Sequence, residues 1–238
     1  MIHKLIIQYS LLEGVKGGNM KYKAIIFDMD GTIIDTESIW ATATRQFIEK
    51  KGVTYTPELH HVLHKQIHGL ALHKSCQIIK DLINLDDHID DLIQEKSAIA
   101  NALYKQGVRF IEGFPEFHGS LKDYDLAHGI ATNADDMTVF LTNQVLDLKS
   151  FFGQHIYGIS CVNFVCKPDP AIYLHAAQHM GFKPEECIAI EDSAHGIKAA
   201  QQAGMYCIGI NTSKNHDQVK AADLIIDSYA ELKLEQLL

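Results

Sequence analysis

The stretch KAIIFDMDGTIIDTES, Lys23 to Ser38, sets Ala24, Ile25, Ile26 and Phe27 in a row and then places acids at Asp28, Asp30 and Asp35. A run this short and apolar, bounded by turn and acidic residues, reads as a strand buried on both faces. The acids that follow raise a question of energy. Carboxylates a few ångströms apart repel one another, and a dry setting makes that worse. A chain keeps such a cluster for a cation, for a reaction, or as a solvated turn.

The same pattern recurs downstream in DLAHGIATN (125–133), HIYGIS (155–160), CIAIED (187–192), YCIGIN (206–211) and DLIID (223–227). Between these runs lie DMTVFLTNQVLD (136–147), PAIYLHAAQHMG (170–181) and SAHGIKAAQQAGM (193–205), with apolar residues at helical spacing. Gly181 and Gly204 stand where two of these helices should end. Strand and helix in alternation imply an α/β fold, a doubly wound parallel sheet wrapped by helices.

One block breaks the rhythm. ESIWATATRQFIEKKG (37–52), TPELHHVLHKQIHG (56–69), LHKSCQIIKDLI (72–83) and DDHIDDLIQEKSAIANALYKQG (86–107) all read as helices. In the last, Ile89, Leu92, Ile93, Ile99, Ala100 and Leu103 make one apolar stripe. The division predicted is an α/β core over 20–35 and 107–238, an inserted all-helical domain over 36–106, and an N-terminal extension over 1–19.

Composition narrows the function classes. Hydrophobic content of 47% and charged content of 21% are ordinary globular values. A net charge of −9, with no Lys/Arg-rich face, argues against a nucleic-acid binder. Five cysteines without a CxxC pair fit a reduced, cytoplasmic chain. The opening MIHKLIIQYSLLEG is too short to span a bilayer and lacks a small-residue cleavage site, so neither a membrane anchor nor a signal peptide is expected.

In parallel α/β sheets ligands gather beyond the carboxyl ends of the strands, so the residues closing each strand carry the chemistry. The first strand closes on Asp28, Asp30, Gly31 and Thr32, the second on Thr132 and Asn133, and CIAI on Glu191, Asp192 and Ser193. CKPDP places Lys167 just ahead of a core helix. These residue types suit phosphoryl transfer. A carboxylate can act as nucleophile toward phosphorus, and a second carboxyl two residues on can protonate the leaving alkoxide and later activate water. The clustered negative charge calls for Mg2+ on oxygen ligands, with Lys167 and Thr132 holding non-bridging oxygens. Gly31 lets backbone N–H groups approach the phosphate.

Together DMDGT, ATN, KPDP and EDSAHGIKAAQQAGM resemble the four motifs of the haloacid dehalogenase-like hydrolase superfamily, in order and over essentially residues 21–230. The subgroup it looks like carries a helical cap between the first two motifs, similar to phosphoglycolate phosphatases and β-phosphoglucomutases. The resemblance implies Asp28 as nucleophile and Asp30 as general acid/base, with Thr132, Asn133, Lys167 and Gly31 around the phosphate. It further implies Mg2+ on the Asp28 side chain, the Asp30 carbonyl and Asp192, with Glu191 a direct or water-mediated ligand. The substrate class implied is a small phosphorylated metabolite. Relatives that cleave carbon–halogen or carbon–phosphorus bonds generally lack the second acid, present here as Asp30. Mutase-like relatives place a His and a cap Arg where this chain has Trp40 and Leu72, which favours a phosphatase over a sugar phosphomutase. A non-catalytic protein of the same fold is the third reading, disfavoured because every motif residue is present.

Each element has a plainer reading when taken alone. The Asp28–Asp30 pair could be a turn, Thr132–Asn133 a strand end, Glu191–Ser193 a helix cap, and Lys167 a surface lysine. Only their joint occurrence carries the functional reading. His60, His64 and His68 share a helical face, yet no further ligand completes a metal site, so a solvated or partly packed face is expected. His68 or His73 could meet substrate. His195 is expected on the first turn of a helix and Asp35 in a structural part near the hinge, while Trp40 either lines the substrate cleft or packs the core of the helical insert, with packing favoured.

Overall fold

The computed structural model describes residues 21–67 and 70–236. The extension over 1–19, and His68 with any contact to substrate, lie outside the described residues. Six parallel strands form one sheet: β1 (Ala24–Phe27), β2 (Ala127–Ala131), β3 (Ile156–Tyr157), β4 (Cys187–Glu191), β5 (Tyr206–Ile210) and β6 (Leu224–Ile226). Their order is β3-β2-β1-β4-β5-β6, so the chain builds outward from β1 on one side and then on the other. β1 pairs with both neighbours, Phe27 standing opposite Ile130 and Ile190. The crevice at that reversal opens beyond the carboxyl ends of β1, β2 and β4.

All four β1 side chains are buried, as a strand covered on both faces requires. Alternation divides them. Ile25 and Phe27 join Ile130, Ile188 and Ile190 in a cluster with Phe114, Phe117, Phe152 and Tyr229. Ala24 and Ile26 face the other way with Ala131, Cys187, Ala189 and Cys207, and these small residues admit helices bearing Tyr173, Ala176, Ile197 and Ala200.

Four helices follow β1: α1 (Glu37–Lys50), α2 (Pro57–Ile67), α3 (Leu72–Leu82) and α4 (Ile89–Tyr104). They enclose a small core of their own built on Phe47, Ile48, Leu63, Ile79 and Leu92. On the stripe read along α4, Leu92 and Ala100 are buried, while Ile89, Ile93, Ile99 and Leu103 are only half-buried. The fully buried ridge is Leu92, Lys96, Ala100 and Tyr104, one residue per helical turn.

The chain leaves and re-enters the sheet layer side by side. Ile34 bridges Phe110 antiparallel, the Asp35 N–H donates to the Arg109 carbonyl at 2.9 Å, and the Arg109 guanidinium donates twice to Asp35 Oδ2, at 3.0 and 2.7 Å. Asp35 therefore fastens the two crossings between the helical segment and the sheet.

Around the sheet lie α5 (Phe114–Ser120), α6 (Asp136–Leu146), α7 (Leu148–Phe152), α8 (Ala171–Met180), α9 (Ala194–Gln202) and α10 (His216–Val219). Asp135 caps α6 by accepting from the Thr138 N–H at 2.8 Å, and Ser193 caps α9 by accepting from the Gly196 N–H at 3.1 Å. α8 ends at Gly181 in the left-handed region, with φ 84°. Among the described residues no helix is long and apolar enough to cross a membrane, and the five cysteines are free thiols, four of them buried.

Candidate active site

Four segments distant in sequence meet at the carboxyl rim of the sheet, and Lys167 is their centre. It is 2% exposed. Its ammonium donates to Asp28 Oδ1 at 2.5 Å, Glu191 Oε1 at 2.6 Å, the Ala131 carbonyl at 2.9 Å and the Tyr173 hydroxyl at 3.4 Å. The end of β1, β2, β4 and α8 each contribute one partner, and the loop before α8 contributes the lysine itself. The Asn133 side-chain oxygen accepts the Lys167 backbone N–H at 3.0 Å, which ties the end of β2 to that loop.

Asp28, Glu191 and Asp192 are all buried, and one oxygen of each lies within 4.8 Å of the others. Burial pushes the Asp28 carboxyl up to about 8, against the pull of the Lys167 ammonium and with Glu191 adding to the rise. Asp192 is raised well above the ordinary carboxylate range, first by burial and then by Asp28 and Glu191. The Lys167 ammonium is held above its ordinary value by Asp28 and Glu191, although burial alone would lower it. Asp28 and Asp192 thus hold a proton more tightly than solitary carboxyls would. An all-oxygen donor set carrying more negative charge than Lys167 can balance fits a hard divalent cation such as Mg2+.

Each flanking residue has a visible task. Gly31 adopts φ +80°, and a Cβ there would collide with the Asp192 carboxylate. The Thr32 hydroxyl reaches Asp192 Oδ1 at 3.5 Å. Thr132 Oγ1 accepts from the Ala134 N–H at 3.0 Å, so its own hydrogen can point into the cleft that it lines. Glu191 is wholly engaged: Tyr173 donates to Oε1 at 2.8 Å beside Lys167, and Ser193 donates to Oε2 at 3.2 Å. Gly196 makes this possible, since a Cβ on that first turn of α9 would occupy the space of the Glu191 carboxylate.

Asp30 is held from the helical segment. Its Oδ1 accepts from the Tyr104 hydroxyl at 2.7 Å and from Trp40 Nε1 at 3.4 Å. Both donors come from the helical segment, Trp40 on α1 and Tyr104 at the end of α4. Trp40 thus lines the cleft and touches an acid while also packing against the main core cluster, so both sequence readings of it apply. A lone tryptophan on an amphipathic helix does both when one ring edge stays exposed to a cavity.

Two of the three histidines read on one helical face of the insert have protein partners. His60 meets the Tyr55 hydroxyl at 3.1 Å and His64 meets Glu37 at 3.1 Å, both on the cleft wall with His73. Among the described residues, only Asp28, Glu191 and Asp192 gather as a group that could hold a metal ion. His195 stands in the first turn of α9, half-buried and with its pKa lowered by burial and by Lys74.

Sequence reasoning passed over Tyr104, Tyr173, Gly196 and Lys96. Tyr173 had a signal, six residues beyond Lys167 on the face that α8 turns to the sheet. Lys96 had a weaker one, the four-residue spacing from Leu92 to Tyr104.

The fold and this rim define an α/β protein with an acidic, lysine-bridged cluster at the switch point of a parallel sheet. The chain belongs to the haloacid dehalogenase-like hydrolase family, whose model matches residues 25–210. It is 29% identical over 187 residues to a phosphorylated carbohydrates phosphatase of Thermotoga maritima, covering 77% of this chain and 82% of the relative. It is 24% identical over 222 residues to a β-phosphoglucomutase of Bacillus subtilis, covering 90% and 93%. A solved HAD hydrolase of Entamoeba histolytica shares the fold with a TM-score of 0.78 at 24% identity, over 90% of this chain and 97% of that one.

Proposed function

We propose that this chain is an Mg2+-dependent hydrolase of a small phosphomonoester that works through an aspartyl-phosphate on Asp28. As a haloacid dehalogenase-like hydrolase with a phosphatase among its relatives, it is a phosphoric monoester hydrolase. The observation that carries the finer reading is the Lys167 ammonium set between Asp28 and Glu191, at 2.5 and 2.6 Å, at the mouth of a cleft.

Asp28 supplies the attacking carboxylate oxygen, oriented by Lys167. Lys167 and the Thr132 hydroxyl take the non-bridging oxygens as charge shifts toward them, and the Gly31 backbone leaves room for the phosphoryl group. Asn133 holds the lysine loop in place rather than taking the larger share of the charge. Asp30 gives its proton to the departing oxygen and then takes one from the water that opens the phospho-aspartate. The Tyr104 and Trp40 donors hold Asp30 through the hinge ends of the helical segment, which we read as a cap over the cleft spanning 36–106. The Asp28 side chain, the Asp30 carbonyl and Asp192 would hold Mg2+. Glu191, already committed to Lys167, Tyr173 and Ser193, would reach it through water. The ion supplies charge neutralisation, letting an anionic nucleophile approach an anionic ester.

The test is phosphate release from a panel of sugar phosphates, phosphoglycolate and nucleotides, with Mg2+ and with excess EDTA. Release that needs Mg2+ and disappears in Asp28→Asn is the expected result. Release unaffected by EDTA, or retained in Asp28→Asn, overturns the reading. A hexose 1-phosphate converted to its 6-phosphate without net release makes the chain a phosphomutase. No turnover of any ester leaves a binding protein.

A further inference from the structure

Behind the acids the cleft continues into the helical segment as one cavity of about 840 Å3. Its far wall includes Trp40, Tyr55, His60, Ser75 and Lys96. Lys96 sits in the buried ridge of α4 and is 2% exposed. Among the described residues no carboxylate pairs with it. Its ammonium donates to Ser75 Oγ at 3.1 Å and lies 5.9 Å from the centre of the Trp40 ring. Burial lowers its pKa to about 8, which leaves it mostly cationic at neutral pH.

The fold gains nothing obvious from this charge. Leu92 and Ala100 fill the same ridge with apolar groups, and a Leu or Met at 96 would remove the desolvation cost. The acid nearest in sequence to Trp40 on this wall, Glu37, is taken up by His64 at 3.1 Å. A buried ammonium that faces a cavity with a hydroxyl, an indole and the Cys76 thiol, itself held protonated by burial, for company lacks an anion.

Trp40 relates that ammonium to the chemistry. Its Nε1 donates to Asp30 while its ring meets Lys96. A leaving group that takes its proton from Asp30 and lies along the indole brings its far end to Lys96. We propose that Lys96 is a specificity-determining residue that binds an oxyanion on the leaving group, a carboxylate or a second phosphate, so that the site takes doubly anionic phosphate esters. The proposal rests on the phosphatase reading and adds the substrate class. A neutral hydroxyl could accept the same hydrogen bond but would leave the charge uncompensated.

Two matched pairs test it in the full-length protein with Mg2+. 3-Phosphoglycerate is compared with glycerol 3-phosphate, which differ by a carboxylate, and fructose 1,6-bisphosphate with fructose 1-phosphate, which differ by a phosphate. Wild-type kcat/KM should favour the doubly anionic member of at least one pair by about tenfold or more, and the favoured pair names the anion. In Lys96→Met that ratio should collapse toward one, while Lys96→Arg keeps most of it. A wild-type preference for neither pair, or a ratio unchanged in Lys96→Met, overturns the proposal. Lys96→Gln is read in the same way if Lys96→Met does not fold. Calorimetric titration of Asp28→Asn with 3-phosphoglycerate and fructose 1,6-bisphosphate separates the two claims. Binding to Asp28→Asn that weakens by about tenfold when Lys96→Met is added supports the anion site even if wild type turns over no ester, in which case the phosphatase reading alone fails. Brisk turnover with unmoved ratios sinks the anion site alone.

Discussion

With divalent cations chelated, raising the pH should destabilise this protein through the acids at its rim. Asp28, Glu191 and Asp192 bring oxygens within 4.8 Å of one another, and one ammonium stands among them. At that separation and an effective dielectric near 20, each like-charged pair costs about 3 kcal/mol. Retaining a proton therefore relieves the folded state, which is why Asp28 is raised to about 8 and Asp192 is raised with it. The sign follows directly. A carboxyl raised on folding lends stability that is complete below its unfolded pKa and is lost as pH climbs through the folded value. Between pH 6.5 and 8 other shifted groups act in the opposite sense. His118, lowered by burial to about 4, and the likewise lowered His175 and His195 give up protons only from the unfolded chain, and Lys96, lowered to about 8, begins to release its proton in the folded state. The carboxyl contribution is therefore read as the difference in slope between wild type and Asp192→Asn, in which those groups are the same. Lys167, raised by its partners, stays charged throughout. One retained proton is worth about 1.4 kcal/mol per pH unit, hence about 2 kcal/mol across this window. For a chain of this length that lowers Tm by roughly 4–8 °C. The assay is thermal unfolding in EDTA across the window, repeated with saturating Mg2+ and with Asp192→Asn. Mg2+ should raise Tm and flatten the slope, and Asp192→Asn should flatten it without metal. A metal-free wild type whose pH slope matches that of Asp192→Asn, or a protein indifferent to Mg2+, refutes the electrostatic reasoning.

Three substitutions probe the supports. Tyr104→Phe deletes the 2.7 Å hydrogen bond that positions Asp30, and a lost bond of about 1–1.5 kcal/mol should lower kcat by roughly five- to tenfold with little change in KM; an unchanged kcat would mean that Asp30 needs no such support. Gly196→Ala drives a methyl into the Glu191 carboxylate, and overpacking of about 1–3 kcal/mol should appear as a lower Tm together with reduced activity, whereas wild-type values for both would show that α9 yields freely. Phe114→Ala empties the aromatic cluster over β1, with Phe27 and Tyr229 at its edges, and should cost about 3–5 kcal/mol in denaturant unfolding; a loss below about 1 kcal/mol would mean that the cluster collapses to fill the gap.

The architecture was largely legible because its signals are local. Each strand is a short apolar run that ends in the residue it delivers to the rim, and a parallel sheet sends all those ends the same way. That is why Asp28, Thr132 and Asp192 could be assembled without coordinates. The supporting residues are hidden for an equally physical reason. Lys96 occupies a position where a helical lysine normally reads as solvent-facing, and only the turn-by-turn series Leu92, Lys96, Ala100, Tyr104 betrays its burial. The contact between Tyr104 and Asp30 joins residues 74 positions apart through the hinge, which no periodicity encodes. Trp40 was read for its bulk, while its indole N–H faces the cleft. The short helices α5 and α7 span seven and five residues, too few turns to establish a period.

The central claim is that Asp28 becomes phosphorylated, and the most direct measurement is peptide mass mapping of protein quenched in acid during turnover of a good ester. The added mass of one phosphoryl group should appear on the peptide holding Asp28, label no other residue, and be absent from Asp28→Asn. Label on a different side chain, or full turnover with Asp28 never modified, would contradict the account.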